Sequence, residues 1–275
     1  MPTIVTVHDL IHLRVPGSAA AWKRAGMRWW LGRVVARASG LICVSRHGRD
    51  DLAAFAPRVA GRIRVIPNGV SDSFGGTPEH EAGSATADAQ ALPRGVKPPF
   101  LLCVATRKPH KNLECAVNVL SELATHDPAL TLVVVGDDDP HWRRVVAHAE
   151  RLGVAHRVIA LAPLADDQLD ALYHCAEALL FPSTYEGFGL PPLEAMRCGT
   201  PVIASNATSI PEVTGSAALA FAPDDAAGMA GAVLRLRASA TLRQEMVARG
   251  RSRAAEFSWK RSAEQTESVL LDAAQ

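Results

Sequence analysis

The sequence predicts an α/β protein of two units, each built on a parallel, doubly wound sheet. Three observations carry that expectation. Short β-branched runs alternate with longer helical patterns throughout, the strand runs are continuously apolar, and one stretch without periodicity separates the two series.

The elements follow in order. TIVTV opens the chain as a strand and leads into a helix that ends at Ala38; LICVS and RHGRDDLAAF form the next strand and helix, and RIRVI a third strand. Between Ser73 and Pro99 the stretch GGTPEHEAGSATADAQALPRGVKPP is rich in Gly, Pro, Ala and Ser, the composition of a linker. The second series holds LLCVA, a helix from Asn112, TLVVVG, a helix over residues 142–152, RVIAL, a helix over residues 168–175, ALLF, a helix from Leu190, and PVIAS. Residues 1–76 thus form a first unit, 77–99 a linker and 100–257 a second unit, with 258–275 a closing helix. The second unit, with the larger set of candidate strands, reads as complete. The first has three, few for independent stability, and starts directly on a buried-type strand, so it is expected to be cut short at its N-terminus.

Composition narrows the function classes. With 275 residues, 48% of them hydrophobic, the chain is neither disordered nor fibrous in bias. No run approaches the roughly 18 apolar residues of a membrane span. MPTIVTVHDL carries no charged segment ahead of an apolar one, so neither anchor nor signal peptide is expected and the default address is the cytoplasm. Cys43, Cys103, Cys115, Cys175 and Cys198 are scattered singly, which argues for core thiols over a disulfide scaffold or a structural metal. Charge is uneven: the first 70 residues hold 11 Lys/Arg against 3 Asp/Glu, the remainder 18 against 25. The basic segment AWKRAGMRWWLGRVVARA does not make a clean amphipathic stripe, since Arg24 and Arg28 fall on one side and Lys23, Arg33 and Arg37, with Trp22 and Trp30, on another. An ordinary helix with solvated arginines is the expectation, a peripheral membrane contact the alternative, and no nucleic-acid partner is expected.

The chemistry concentrates in YEGFGLPPLEAMRCGTP, residues 185–201. This stretch follows ALLF at the carboxyl end of a parallel strand, where ligands gather in open α/β sheets. Proline in a first helical turn loses no hydrogen bond, glycine admits close approach to the backbone, and free amides at a helix start attract anions. A phosphate accounts for the glycines and prolines but not for Glu186 and Glu194, which would repel it. Carboxylates do accept hydrogen bonds from sugar hydroxyls, so one on each side of a pyrophosphate suits a nucleotide sugar. RKPHKN, residues 107–112, follows LLCVA and opens a helix, offering Arg107 and Lys111 as cations for the same phosphates. Glutamate in a first helical turn also serves the helix dipole, and basic loops are commonly just solvated, so the residues alone leave the ligand open. GFGLPP lacks the third glycine of a dinucleotide fingerprint, which counts against a dehydrogenase, and GDDD at residues 136–139 reads as a strand-end loop, so no metal is expected.

The constellation resembles the retaining glycosyltransferases of family 4. TVHDLIHLRVP, VSRHGRDDL and IRVIPNGV look like the end of that family's first domain; LLCVATRKPHKNL, LVVVG, YHCAEALLFPSTYEGFGLPPLEAMRCGTPVIAS and IPEVTGSAAL follow in family order, and FSW at 257–259 resembles the point where the closing helix crosses back. The resemblance implies a GT-B fold, two Rossmann-like domains facing across a cleft, the first incomplete and on the acceptor side, the second holding the donor. Glu194 would hold the ribose hydroxyls, Glu186 would contact the transferred sugar, and the amides around Gly187, Phe188, Gly189 and Leu190 would bind its hydroxyls or the phosphate. Lys111 would neutralise the diphosphate leaving group with Arg107 as helper, and His8 would hydrogen-bond near the donor sugar. The implied reaction moves a hexose from a UDP- or GDP-linked donor to a carbohydrate or lipid-linked acceptor, with retention, by a front-face route that rests on positioning and positive charge and needs no cofactor or metal. Ala105 and Ala162 stand where the family commonly has glycine. The isolated chain is expected to bind nucleotide sugar with little or no transfer; the alternative is a non-catalytic donor-domain remnant or partner subunit.

Overall fold

The computed structural model describes residues 2–75 and 91–274; the expected linker's residues 77–90 lie outside them. In the first unit the apolar runs become β1 (Ile4–Val7), β2 (Gly40–Cys43) and β3 (Ile63–Val65), parallel and in that spatial order. Helices α1 (Ile11–Arg14) and α2 (Ala21–Arg37) connect β1 to β2, and α3 (Arg46–Phe55) follows β2. Ser45 fixes the start of α3, its Oγ accepting the Gly48 amide at 2.9 Å. The core beneath is small, gathered around Val35, Leu41, Leu52 and Ile63.

The second unit carries β4 (Phe100–Val104), β5 (Thr131–Val135), β6 (Val158–Leu161), β7 (Ala178–Phe181), β8 (Val202–Ser205) and β9 (Ala218–Phe221). All pair in parallel, in the order β6-β5-β4-β7-β8-β9. Helices α4 (Leu113–Leu123), α5 (Trp142–Arg151), α6 (Asp166–Cys175), α7 (Leu190–Arg197), α8 (Ile210–Thr214), α9 (Ala226–Ala238) and α10 (Ala240–Ala254) alternate with the strands or follow them. The sheet is buried on both faces. Phe100, Leu102, Val133 and Leu179 pack against Leu172 and Tyr173 of α6 and Leu193 and Met196 of α7. Leu101, Cys103, Leu132 and Leu180 pack against Leu120 of α4, Val145 of α5 and Met229 of α9. Successive strand residues therefore enter opposite cores, which is why these strands read as unbroken apolar runs.

Two features of this topology position the site. The chain runs outward from β4 through β5 to β6, then returns to the other side of β4 as β7. The strand order therefore reverses between β4 and β7, and the loops leaving their carboxyl ends flank one crevice. The second feature is how the units meet. Tyr185 of the second donates its hydroxyl to Asp51 of α3 at 2.6 Å. Glu212 of α8 accepts the Arg46 amide at 2.8 Å, capping α3 across the boundary. Val70 pairs with Ser258, and α11 (Trp259–Ala274) begins beside it, where Ser262 donates to the Pro67 carbonyl.

Candidate active site

The loop after β4 and the loop after β7 are stitched into one wall. The Thr184 amide donates to the His110 carbonyl at 2.8 Å. Asn112 sits in the left-handed region at φ 53° and spends its side-chain amide on two further carbonyls, Pro182 at 3.1 Å and Pro223 at 2.7 Å. From behind, the loop after β8 braces the second loop: Thr208 Oγ1 accepts the Glu186 amide at 3.0 Å, and Ser209 Oγ donates to the Glu186 and Phe188 carbonyls. None of these bracing residues stood out in the sequence; the Asn that opens a helix after a strand was the one available signal.

That wall brings Lys111 and Glu186 together. Lys111 Nζ donates to both carboxylate oxygens of Glu186, at 2.7 and 2.9 Å, with both side chains largely shielded from solvent. The ammonium also lies 5.8 Å from the centroid of the Phe181 ring. Gly189 follows at φ 112°, a conformation that suits glycine, and hands over to α7, whose first turn carries Pro191 and Pro192. The amides of Phe188, Gly189 and Leu190 donate to no acceptor among the described residues. They form the open N-terminus of a helix beside a paired lysine.

His8 reaches the site through its backbone. It is exposed, just past the end of β1, and its carbonyl oxygen lies so close to Gly187 that a Cβ there would overlap it and the Asp9 side chain. Between β1 and the two loops a cavity of about 390 Å³ is lined by Asp9, His12, Lys108, His110, Lys111 and Glu186, among others. His110 stays neutral at physiological pH: burial, then the neighbouring Lys111 and Lys108 charges, push its pKa down to about 4.

Arg107 and Glu194 are placed differently. Arg107 is buried, donates to the Leu161 carbonyl at 2.7 Å and to Asp138 at 3.2 Å, and stacks 4.9 Å from the Trp142 ring. It braces the loop after β4 against the end of β6. Glu194 is the fifth residue of α7, on its second turn, because the helix begins at Leu190. Its Oε2 accepts the hydroxyl of fully buried Tyr173 at 2.7 Å. Burial raises the Glu194 pKa, a shift that the Tyr173 hydrogen bond opposes. Among the described residues, Asp170, His174 and Cys198 bring three metal-capable side chains together, and Asp170 Oδ1 there accepts both the Gly75 amide at 2.9 Å and the Cys198 thiol at 3.2 Å. No described helix is long and apolar enough to cross a membrane.

Comparison with known proteins bears on this arrangement. Residues 84–253 match the family model for glycosyl transferases group 1, and residues 1–74 match the model for Glycosyltransferase Family 4. The serotype-specific mannosyltransferase WbdA of Escherichia coli is 30% identical over 233 residues, or 82% of this chain and 28% of that protein. The MMP alpha-(1->4)-mannosyltransferase of Mycolicibacterium hassiacum is 30% identical over 284 residues, 98% of this chain and 64% of its own length. The chain thus spans from 28% to 64% of the length of these curated relatives. Among solved structures, sucrose-phosphate synthase from Thermosynechococcus elongatus has a TM-score of 0.79 at 25% identity, covering 99% of this chain and 68% of that one. HepE of Anabaena, solved in complex with UDP and glucose, has a TM-score of 0.82 at 21% identity, covering 98% and 71%. These likenesses identify the two parallel-sheet units as a GT-B architecture.

Proposed function

The chain belongs to the glycosyl transferases of group 1, and we propose that within that family it moves a hexose from a nucleoside-diphosphate donor to a carbohydrate or lipid-linked acceptor with retention of anomeric configuration. Residues 100–257 hold the donor, residues 1–76 face the acceptor, and residues 258–275 close one unit onto the other, in a cytoplasmic enzyme of polysaccharide or glycoconjugate synthesis. The observation that carries this reading is the Lys111–Glu186 pair set beside the open amides of Phe188, Gly189 and Leu190. Support for the donor class comes from HepE, whose complexes contain UDP or UDP-glucose, and from relatives named as mannosyltransferases.

The geometry suggests how the pair works. A diphosphate entering the crevice takes Glu186's place as the partner of Lys111, and the free helix amides receive its remaining oxygens. Glu186, released, accepts a hydroxyl of the transferred sugar, so the exchange leaves neither charged group unpaired in the crevice. As the bond to the leaving phosphate breaks, negative charge grows on the diphosphate, and Lys111 and the amides stabilise it from fixed positions. His8 hydrogen-bonds the sugar from the facing unit. Glu194, with Oε2 held by Tyr173, presents Oε1 to the ribose, and Arg107 supports the loop that carries Lys111.

Thermal unfolding with UDP, GDP and ADP tests the donor site. At 100 times its dissociation constant the right nucleotide adds about 2.7 kcal/mol of stability. Lys111→Gln should weaken the diphosphate by roughly 10- to 100-fold, the range for a hydrogen bond to a charged group, while binding of the matching nucleoside changes little. Glu194→Ala should weaken nucleoside and nucleotide alike. Absence of any nucleotide shift in the wild-type chain, or equal shifts in wild type and both variants, sinks the assignment.

A further inference from the structure

Helix α2 is anchored to the small core through Leu31 and Val35, while its N-terminal half faces solvent. The ten residues 21–30 are all exposed, and only Leu31 and Val35 of the helix are buried. Trp22, Trp29 and Trp30 are 73%, 65% and 58% exposed, so three of the chain's five tryptophans lie in water on one helix. Between Asp9 and Asp50 the sequence holds eight Lys/Arg and no Asp or Glu. At about 100° per residue, Trp29, Trp22, Arg33, Arg37, Trp30 and Lys23 fall in that order on an arc of roughly 120°, opposite Leu31 and Val35. Lys23 lies 5.4 Å from the Trp22 ring and Arg33 5.1 Å from the Trp29 ring, so cations and indoles share one surface.

We propose that this outward face of α2 docks on an anionic lipid bilayer. Tryptophan is favoured at the headgroup level, where its ring is buried while its N–H stays hydrated. Lysine and arginine snorkel from the same depth toward lipid phosphates. A protein partner would need an acidic, complementary groove for both kinds of side chain, whereas an anionic bilayer offers charge and interface together. The N-terminal end of α2 also sits near the crevice, because Gly17 and Ser18 line the cavity described above and α2 begins at Ala21. The proposal is independent of the donor assignment.

Flotation of the full chain with vesicles tests it. Mixed phosphatidylglycerol and phosphatidylcholine vesicles should carry the protein and phosphatidylcholine alone should not, with binding falling as salt rises. Neutralising Lys23, Arg33 and Arg37 to glutamine should weaken binding roughly fivefold per charge. The triple variant Trp22→Ala, Trp29→Ala, Trp30→Ala should also weaken it, whereas Lys111→Gln should float like wild type. In the unaltered protein, tryptophan emission should shift to the blue on anionic vesicles and be quenched by brominated acyl chains, a readout that depends on no variant. Failure to float, flotation undiminished in both triple variants, or unquenched emission overturns the proposal. So does a concentration-dependent dimer that the tryptophan variant dissolves without vesicle binding, which would give the face to a second copy.

Discussion

The two units meet the same crevice from opposite sides, yet they are built to different standards. In the six-stranded sheet, β4, β5, β7 and β8 are buried along almost their whole length, between two separate cores. In the three-stranded sheet, Ile4 and Val5 of β1 are half-buried, Thr6 is exposed, and a single small core lies beneath. The groups that orient Lys111 and Glu186 all belong to the first kind of structure: Asn112, Thr208 and Ser209 are anchored on the doubly buried sheet. The facing unit contributes Asp9 and His12 to the cavity lining, and the backbone carbonyl of His8 is pressed against Gly187. Rigidity and adjustability are thus divided between the walls, the arrangement expected where a charged ligand must be held and a second substrate admitted.

Truncations on each side give the largest expected effect. Phe100→Ala, at a side chain with no exposure in the centre of the large sheet, should cost about 3–5 kcal/mol in chemical unfolding. Val5→Ala in β1, half-buried and at the edge of the small sheet, should cost about 1 kcal/mol or less. Equal losses would erase the contrast between the units.

The contact between the walls is the next target. Gly187 has no unusual φ, but a Cβ on it would overlap the His8 carbonyl and the Asp9 side chain. Gly187→Ala should therefore push β1's turn away from the loop, costing about 1–3 kcal/mol of stability and lowering nucleotide affinity through the displaced loop. Gly26→Ala, in α2 with nothing near the added methyl, is the control and should stabilise by about 0.5–1 kcal/mol. If the two substitutions behave alike, the close approach of the walls does not exist in solution.

How much of this was legible in the sequence follows from the same contrast. The doubly buried strands announced themselves because every residue enters one core or the other, and α3 spans the run RHGRDDLAAF that reads as a helix after LICVS. The family resemblance rested on segments from these strands and their loops, which the group 1 family model covers, and on TVHDLIHLRVP, VSRHGRDDL and IRVIPNGV of the first unit, which lie within the Family 4 match. What local pattern could not supply was adjacency. Lys111 and Glu186 are 75 residues apart and meet only because the strand order reverses between β4 and β7. Arg107 and Lys111 looked equivalent as cations, yet the Trp142 ring and the Leu161 carbonyl, both distant in sequence, claim the first and leave the second to the crevice. Likewise, a helical wheel of α2 shows where the tryptophans lie but not that residues 21–30 are exposed, which decides whether they face protein or water.

The mildest of the substitutions at the contact between the units is also the most selective for the boundary. Tyr185 follows β7 in the rigid unit, and its hydroxyl reaches Asp51 in the other. Burial first, and then the Asp51 carboxylate, hold the phenol protonated well beyond the ordinary tyrosine range, so it stays a donor at any pH the protein survives. Asp51 has a second partner in Arg14 at 2.8 Å. Tyr185→Phe therefore removes one donor without stranding the carboxylate, and the cost should sit near 1 kcal/mol, below the usual range for a charged hydrogen bond. Nucleotide affinity should not change, because the ring keeps its place against His47 and the backbone that leads to Glu186 stays tied to Thr208. Unfolding of wild type and variant, each with and without nucleotide, separates the two quantities. A stability loss that vanishes when nucleotide is bound would mean that the ligand itself clamps the units together, and the division between a holding wall and an adjustable one would then not extend to the nucleotide complex.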